Sequence, residues 1–319
     1  MTIVSSSPHI HAEDSISSIM TDVLIALIPA AICGMYFFGL RAALVIFTAI
    51  AACILSEFAY QKLMKKKVTV RDFSAVVTGL LLALNLPPSI PLWMVVIGSF
   101  FAIAVVKQLY GGLGKNFMNP ALAARCFMLI AWPKAMTLFS DPNAASDAIS
   151  SATPLAILKG VGEGALPSPI QTFLGHTAGC IGETSALMLL LGFGYLLFRR
   201  VISPRIPLTY VLSFGILMFL FGKNQSGESQ FIFTLLHITS GGLLLGAIFM
   251  ATDYVTTPTT PLGQIIFAVG CGVLTFVIRT FGGYPEGASF AIILMNLTVP
   301  LIDGAIIRKS FGEVGRNAE

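Results

Sequence analysis

Apolar residues fall along this chain in long blocks separated by short polar or proline- and glycine-marked breaks. Thr21–Leu40 and Ala42–Leu63 form the first two blocks and meet at a tight turn at Arg41. A third, Ser74–Leu86, is too short to cross a bilayer and stops at Asn85-Leu86-Pro87-Pro88. The fourth and fifth are Leu92–Tyr110 and Pro120–Trp132. After a long polar stretch come Glu183–Phe198 and Leu208–Phe221, then a second short block, Ser240–Ala251, which stops at Thr252-Asp253. Gly263–Arg279 and Ala288–Ile307 finish the series. The expectation is an all-α integral membrane protein of about ten transmembrane helices, since backbone groups in lipid must be satisfied within each segment.

Composition reinforces the pattern. Of 319 residues, 55% are hydrophobic and only 11% charged, and mean hydropathy is +0.86, against about a quarter charged in a soluble domain. The first twenty residues lack the basic start and short apolar core of a cleavable signal peptide. The five cysteines, Cys33, Cys53, Cys126, Cys180 and Cys271, stand singly, so no zinc or iron–sulfur site of this chain is expected. They read as small apolar core residues. No nucleotide-binding glycine motif follows a strand pattern, and nothing points to nucleic acid.

Cation placement orients the helices. With the N-terminus cytoplasmic, the lysines and arginines of 62–71, 199–205 and 308–316, with Lys107 and Lys115, lie on or near the cytoplasmic side. Arg41, Arg125, Lys134, Lys159, Lys223 and Arg279 remain in the membrane or outside. The loop before residue 183 is then extracytoplasmic, and both termini are cytoplasmic.

The two short blocks resemble one another: TGLLLAL at 78–84 matches GGLLLGA at 241–247, and LYGGLGKNFMNPAL at 109–122 echoes TFGGYPEGASFAI at 280–292. Two inverted five-helix repeats with broken third and eighth helices follow, with a site expected where the breaks meet. The corresponding divisions are 1–20 as a cytoplasmic N-terminal segment, 21–134 as the first membrane repeat, 135–182 as the extracytoplasmic loop, 183–307 as the second repeat and 308–319 as a cytoplasmic tail.

Carboxylates in apolar surroundings are the first chemical candidates. Asp253, at the broken eighth block, and Glu183, in GETSAL, are candidates for an ion path, although Glu183 also suits a helix N-terminus. Glu57, Glu286 and Asp303 lie near predicted helix ends and read as solvated at the interface. Lys107 and Arg125 are expected to snorkel or to pair with phosphate or carboxylate. His9 and His11 read as tail residues, and His176 and His237 are isolated.

One polar stretch fits none of this. DAISSATPL, at 147–155, is either a linker or a place where another enzyme attaches a group: Thr153 has no triad to make it a nucleophile, while small neighbours and Pro154 leave its hydroxyl accessible. Asp147-x-x-Ser150-Ser151-Ala152-Thr153 resembles the flavinylation signature D-x-x-[ST]-[GS]-A-T.

With SSPHIHAEDS, VTGLLLALNLPP, KQLYGGLGKNFMNPA, SATPL, GCIGETSALMLLLG, GGLLLGAIFMATD and FGGYPEGASFAIILMNLTVPLID in order, nearly the whole chain resembles the RnfD/NqrB family of ion-translocating redox-complex subunits. The NqrB branch carries a longer N-terminal extension, so the resemblance is to the RnfD branch. It implies a member of a complex that couples electron transfer between ferredoxin and NAD to Na⁺ or H⁺ transport in a prokaryotic cytoplasmic membrane. It also implies FMN joined through its phosphate to Thr153, with Asp147, Ser150, Ser151 and Ala152 as the attachment motif, and a flavin transferase for maturation. Partners implied are RnfA-, RnfB-, RnfC-, RnfE- and RnfG-like subunits and membrane lipid. Some members also hold riboflavin, for which Asn85–Pro88 and Asp253–Pro258 offer walls. An NqrB-like quinone-reducing protein and a channel or transporter without redox chemistry are the alternatives.

Overall fold

A computed structural model describes residues 15–139, 152–162, 164–224 and 227–306. Asp147, Ser150 and Ser151 of the attachment motif lie outside the described residues, as do His9, His11 and the tail 308–319. Among the described residues every regular element is helical.

The first helix, α1 (Ile16–Leu63), runs for 48 residues from an N-cap at Ser15, whose side chain accepts from Ser18 N. At 1.5 Å per residue this is roughly 72 Å, more than twice the roughly 30 Å of bilayer hydrocarbon. The chain resolves that excess by bending at Gly39, where φ is 64° and ψ −149°. Only glycine adopts that conformation without strain. The expected turn between the first two blocks therefore falls two residues before Arg41.

The first short block is the buried helix α2 (Ser74–Leu84), with Asn85 as its C-cap. Next, α3 (Leu92–Phe100) continues directly into a π-helical segment, Phe101–Gln108. α4 (Pro120–Ala131) is capped by Asn119, whose side chain accepts from Ala121 N and Leu122 N. Three short helices follow: α5 (Pro133–Met136), α6 (Pro154–Leu158) and α7 (Pro169–Leu174).

α8 (Ala186–Phe198) and α9 (Arg205–Phe221) come next. The second short block is longer than its apolar stretch suggests. α10 (Gln230–Thr239) precedes α11 (Leu243–Leu245) and its π continuation Gly246–Met250, and the pair is bent by 59° at the break. Gln230, two threonines and His237 hid this first half-helix from a reading by apolarity. The fold ends with α12 (Pro261–Phe281) and α13 (Ala288–Ala305).

α1, α12 and α13 are each long and apolar enough to cross a membrane, and the bent pair counts as a fourth. Large apolar side chains such as Tyr36, Phe47, Phe198 and Leu301 face outward, while Glu57, Lys107, Arg125 and Arg279 are buried. That inside-out polarity belongs to a multi-pass membrane protein. α1 packs against α2, α3 and α8, and α12 against α9 and α13, while α11 with its π continuation touches α8, α9 and α13. Asp22 of α1 also ties to α8 through Tyr195 OH (2.8 Å) and the Arg199 guanidinium.

Candidate functional site

Two apolar helices that stop short of a membrane span leave carbonyl and amide groups with no intrahelical partner. At the end of α2, Gly182 N donates to Leu84 O (2.8 Å) and Ile181 N to Leu86 O (3.0 Å). The carbonyl between them, Asn85 O, accepts from Arg125 Nε at 3.0 Å. At the other break, Arg279 donates to His237 O and Ser240 O from α12. Each broken end is thus held by one buried arginine. Arg279 also lies over the Phe214 ring, 5.0 Å from its centroid.

Arg125 does more than cap. Its other nitrogens donate to Ser289 Oγ and Glu286 Oε2, and one also faces Glu183 Oε1 at 3.5 Å. Glu286 in turn accepts from Gly242 N, at the start of α11, at 2.5 Å. A single ion cluster therefore joins α4, the segment before α8, the start of α11 and the segment before α13. Gly242 makes the approach feasible: a Cβ there would stand 2.6 Å from Glu286 Oε1 and 2.9 Å from Glu183 Oε1. Glu286 is accordingly not the interfacial, solvated carboxylate that its place in the sequence suggests. It is enclosed because the chain after α12 folds back onto the break.

A cavity of about 460 Å³ opens on this cluster. Arg125, Glu183, Ser240 and Glu286 line one part of its wall. Leu129, Met136, Leu155 and Val161 supply apolar lining. Ala152 and Thr153 lie in the same wall. Thr153 is half-buried and caps α6, its Oγ1 accepting from Ala156 N at 3.2 Å. Gly162 has to lack a side chain: a Cβ there would come within 2.7 Å of the Ala152 Cβ, so these two chain segments touch closely. Gly241, with φ at +72°, is pressed against Leu155 in the same way.

The site residues expected from the sequence therefore divide. Ala152, Thr153 and Glu183 share one cavity, and Arg125 joins them. Asp253 does not. It lines a different cavity, with Ser74, Lys107, Asn116 and Asn119, and its carboxylate accepts from Val255 N and Thr256 Oγ1. Asn85–Pro88 are absent from the lining of that second cavity, whereas Asp253–Val255 contribute to it.

Glu57 is a further correction. Lys107 Nζ donates to both its carboxylate oxygens, at 3.1 and 2.9 Å, and the pair is fully enclosed. The sequence places Glu57 near a helix end; the π segment of α3 brings Lys107 and Gln108 together onto it, so it is buried rather than solvated. Arg125 and Lys107, expected to snorkel or find a carboxylate, both found carboxylates. The residues that sequence reasoning missed are Glu286 and Ser240. A glutamate beside the repeated GG element was the available signal for the first, and nothing marked the second.

Residues 3–312 match the model of the NQR2, RnfD, RnfE family. The chain is 49% identical over 311 residues to the D subunit of the Na(+)-translocating ferredoxin:NAD(+) oxidoreductase complex of Acetobacterium woodii, covering 97% of this chain and 95% of the relative. It is 46% identical over 314 residues to the D subunit of the proton-translocating ferredoxin:NAD(+) oxidoreductase complex of Clostridium ljungdahlii, covering 94% and 93%. Against the D subunit of the ion-translocating oxidoreductase complex of Stutzerimonas stutzeri it is 40% identical over 333 residues, covering 95% and 94%. With residues 3–312 matched and relatives 40–49% identical over nearly the whole chain, this chain belongs to the NQR2, RnfD, RnfE family.

Proposed function

We propose that this chain is the RnfD-type member of an ion-translocating ferredoxin:NAD oxidoreductase and that it carries FMN as a phosphoester on Thr153. The observation that carries the flavin reading is the shared cavity. Thr153, the acceptor in the attachment signature, lies in the wall of a space of about 460 Å³ whose other wall is a buried arginine–glutamate cluster. That volume is within the roughly 300–1,000 Å³ of small-molecule sites. A mixed apolar and hydrogen-bonding lining suits a flavin ring, which is apolar at one edge and polar at the other. The buried hydroxyl of Ser240 has no partner in the protein, as expected where a ligand completes the site. FMN so held would supply transfer of electrons singly or in pairs. The chain's own contribution is to fix the ring, exclude water from one wall and set the local charge.

The membrane architecture belongs to the same reading. Ten spans arranged as two inverted repeats are proposed from the matched short blocks at 78–84 and 241–247. The cation asymmetry puts both termini in the cytoplasm and Thr153 outside, where a flavin transferase and an RnfG-like flavoprotein partner would meet it. RnfA-, RnfB-, RnfC- and RnfE-like subunits would complete the complex. Riboflavin is a second proposed ligand without an assigned site, because the cavity that includes Asp253, at about 90 Å³, is smaller than the roughly 300–1,000 Å³ of small-molecule sites.

The covalent bond is tested by in-gel fluorescence after full denaturation, with the chain co-produced with a flavin transferase. Wild type is expected to fluoresce and Thr153→Ala to be dark. A dark wild type, with the transferase proven on a known acceptor, would sink the flavin reading.

Relatives of similar identity are named for Na⁺ and for protons, so the proposal is of coupled cation transport, with Asp253 as a residue of the path. Asp253 stands in a cavity wall shared with Lys107, Asn116 and Asn119. In an assembled complex, Asp253→Asn is expected to lower cation transport per electron transferred. An unchanged ratio removes Asp253 from the path.

A further inference from the structure

Ser240 is the C-cap of α10, and most of its polar atoms are accounted for. Its N–H donates to Leu236 O at 2.9 Å, and its carbonyl accepts from Arg279 Nη2 at 3.3 Å. The hydroxyl is different. The residue is only 4% exposed, its Oγ has no hydrogen-bond partner, and it lines the Thr153 cavity. A serine hydroxyl rotates freely and both donates and accepts. One left unpaired in a membrane interior is costly. An alanine would remove the cost and keep the extended backbone that ends the half-helix. The backbone is fixed on both sides, by Arg279 on the Ser240 carbonyl and by the left-handed Gly241 that follows. The hydroxyl is therefore held in place by groups that do not themselves use it.

We propose that Ser240 is a positioning residue for the flavin, its hydroxyl donating a hydrogen bond to the polar edge of the ring. This rests on the flavin reading of Thr153. The surroundings favour that direction of donation. Glu183 and Glu286 are the acceptors of this cavity and are engaged by Arg125, whereas a flavin carbonyl needs donors. Electrons entering the ring increase negative charge on those carbonyl oxygens. A donor fixed there stabilises the reduced ring more than the oxidised one. Losing the hydroxyl should thus lower the flavin's midpoint potential.

The test uses the full chain, co-produced with a flavin transferase and purified in detergent, as wild type, Ser240→Ala, Ser240→Thr and Ser240→Cys. Fluorescence of the denatured band reports attachment. A redox titration followed by visible absorption reports the potential, and thermal melting reports folding. In Ser240→Ala, attachment is expected to match wild type. The potential is expected to fall by about 59 mV, which is a tenfold change in a one-electron equilibrium. Ser240→Thr, which keeps a hydroxyl, is expected to restore it. Ser240→Cys matches serine closely in shape but is a weak donor, so it should shift the potential the same way as alanine. It supplies the answer if the alanine variant melts early.

An unchanged potential and spectrum in both hydroxyl-free variants overturns the proposal, since the hydroxyl would then serve only a water. Loss of attachment in a variant that melts like wild type also overturns it, because Ser240 would then act in recognition by the transferase. A dark wild-type band is distinguishable from both. It fails the flavin reading itself, and this inference with it.

Discussion

Arg125→Met is expected to destabilise the protein by about 3–5 kcal/mol, the usual cost of breaking a buried ion pair by removing one partner. Methionine keeps much of the arginine's apolar stem and so isolates the loss of the charged head. Two carboxylates, Glu183 and Glu286, would then meet at Gly242 without their guanidinium, and Asn85 O would lose its donor at the end of α2. Arg279 is not free to replace it, since it holds His237 O and Ser240 O. The measurement is thermal unfolding in detergent, with protein accumulation in the membrane beside it. Arg125→Lys should recover only part of the loss, because one ammonium cannot serve Asn85 O, Ser289 and both glutamates in the geometry of a planar fork. Arg125→Met combined with Glu183→Gln and Glu286→Gln should recover more, because neutral amides relieve the repulsion. If the single methionine variant melts with wild type, the cluster does not hold the two breaks together.

That cluster also marks where sequence reading stops. The break after α2 was legible because two prolines follow Leu86, and proline ends a helix locally. Thr153 drew attention because its stretch resembles a short, contiguous signature. The partnership of Arg125 with Glu286 joins positions 161 apart. Nothing local announces it; it exists because both breaks leave backbone groups that need a charge nearby. The same cause turned Glu286 from an interfacial residue into a partly buried member of the ion cluster. For Glu57 the missing information was the π segment of α3, which α-helical periodicity does not contain. α10 escaped notice for a simpler reason: half of a broken span is enclosed by protein, so it tolerates glutamine, threonine and histidine that lipid would reject. The apolar blocks thus revealed the enclosed α2, which is predominantly apolar, but not α10, whose polar residues interrupt the pattern.

The Glu57–Lys107 pair yields the second large effect, and its asymmetry is the informative part. Glu57 Oε1 accepts from Lys107 Nζ (3.1 Å), Gln108 Nε2 (2.8 Å) and Gln61 Nε2 (3.2 Å), while Oε2 accepts from Lys107 at 2.9 Å. Lys107 also donates to Ser74 Oγ at 2.6 Å. Ser74 Oγ has a further partner in Asp72 Oδ1, at 2.5 Å. Glu57→Leu therefore leaves the Lys107 ammonium without its counter-charge and Gln108 Nε2 without its acceptor, while Gln61 Nε2 keeps Thr69 Oγ1 (2.9 Å), and about 3–5 kcal/mol of destabilisation is expected. Lys107→Met leaves the carboxylate with its two amide donors, so a smaller loss is expected. Glu57→Leu with Lys107→Met removes both charges from a site of low polarity and should be less damaging than Glu57→Leu alone, because the desolvation penalty disappears with the attraction. The four melting temperatures of this cycle give the coupling directly. Additive losses would mean that the two side chains are held by their separate neighbours, and that the π segment presents Lys107 to Glu57 without an energetic bond between them. Strong coupling would make this pair the clamp that holds α3 against α1 beside the cavity containing Asp253.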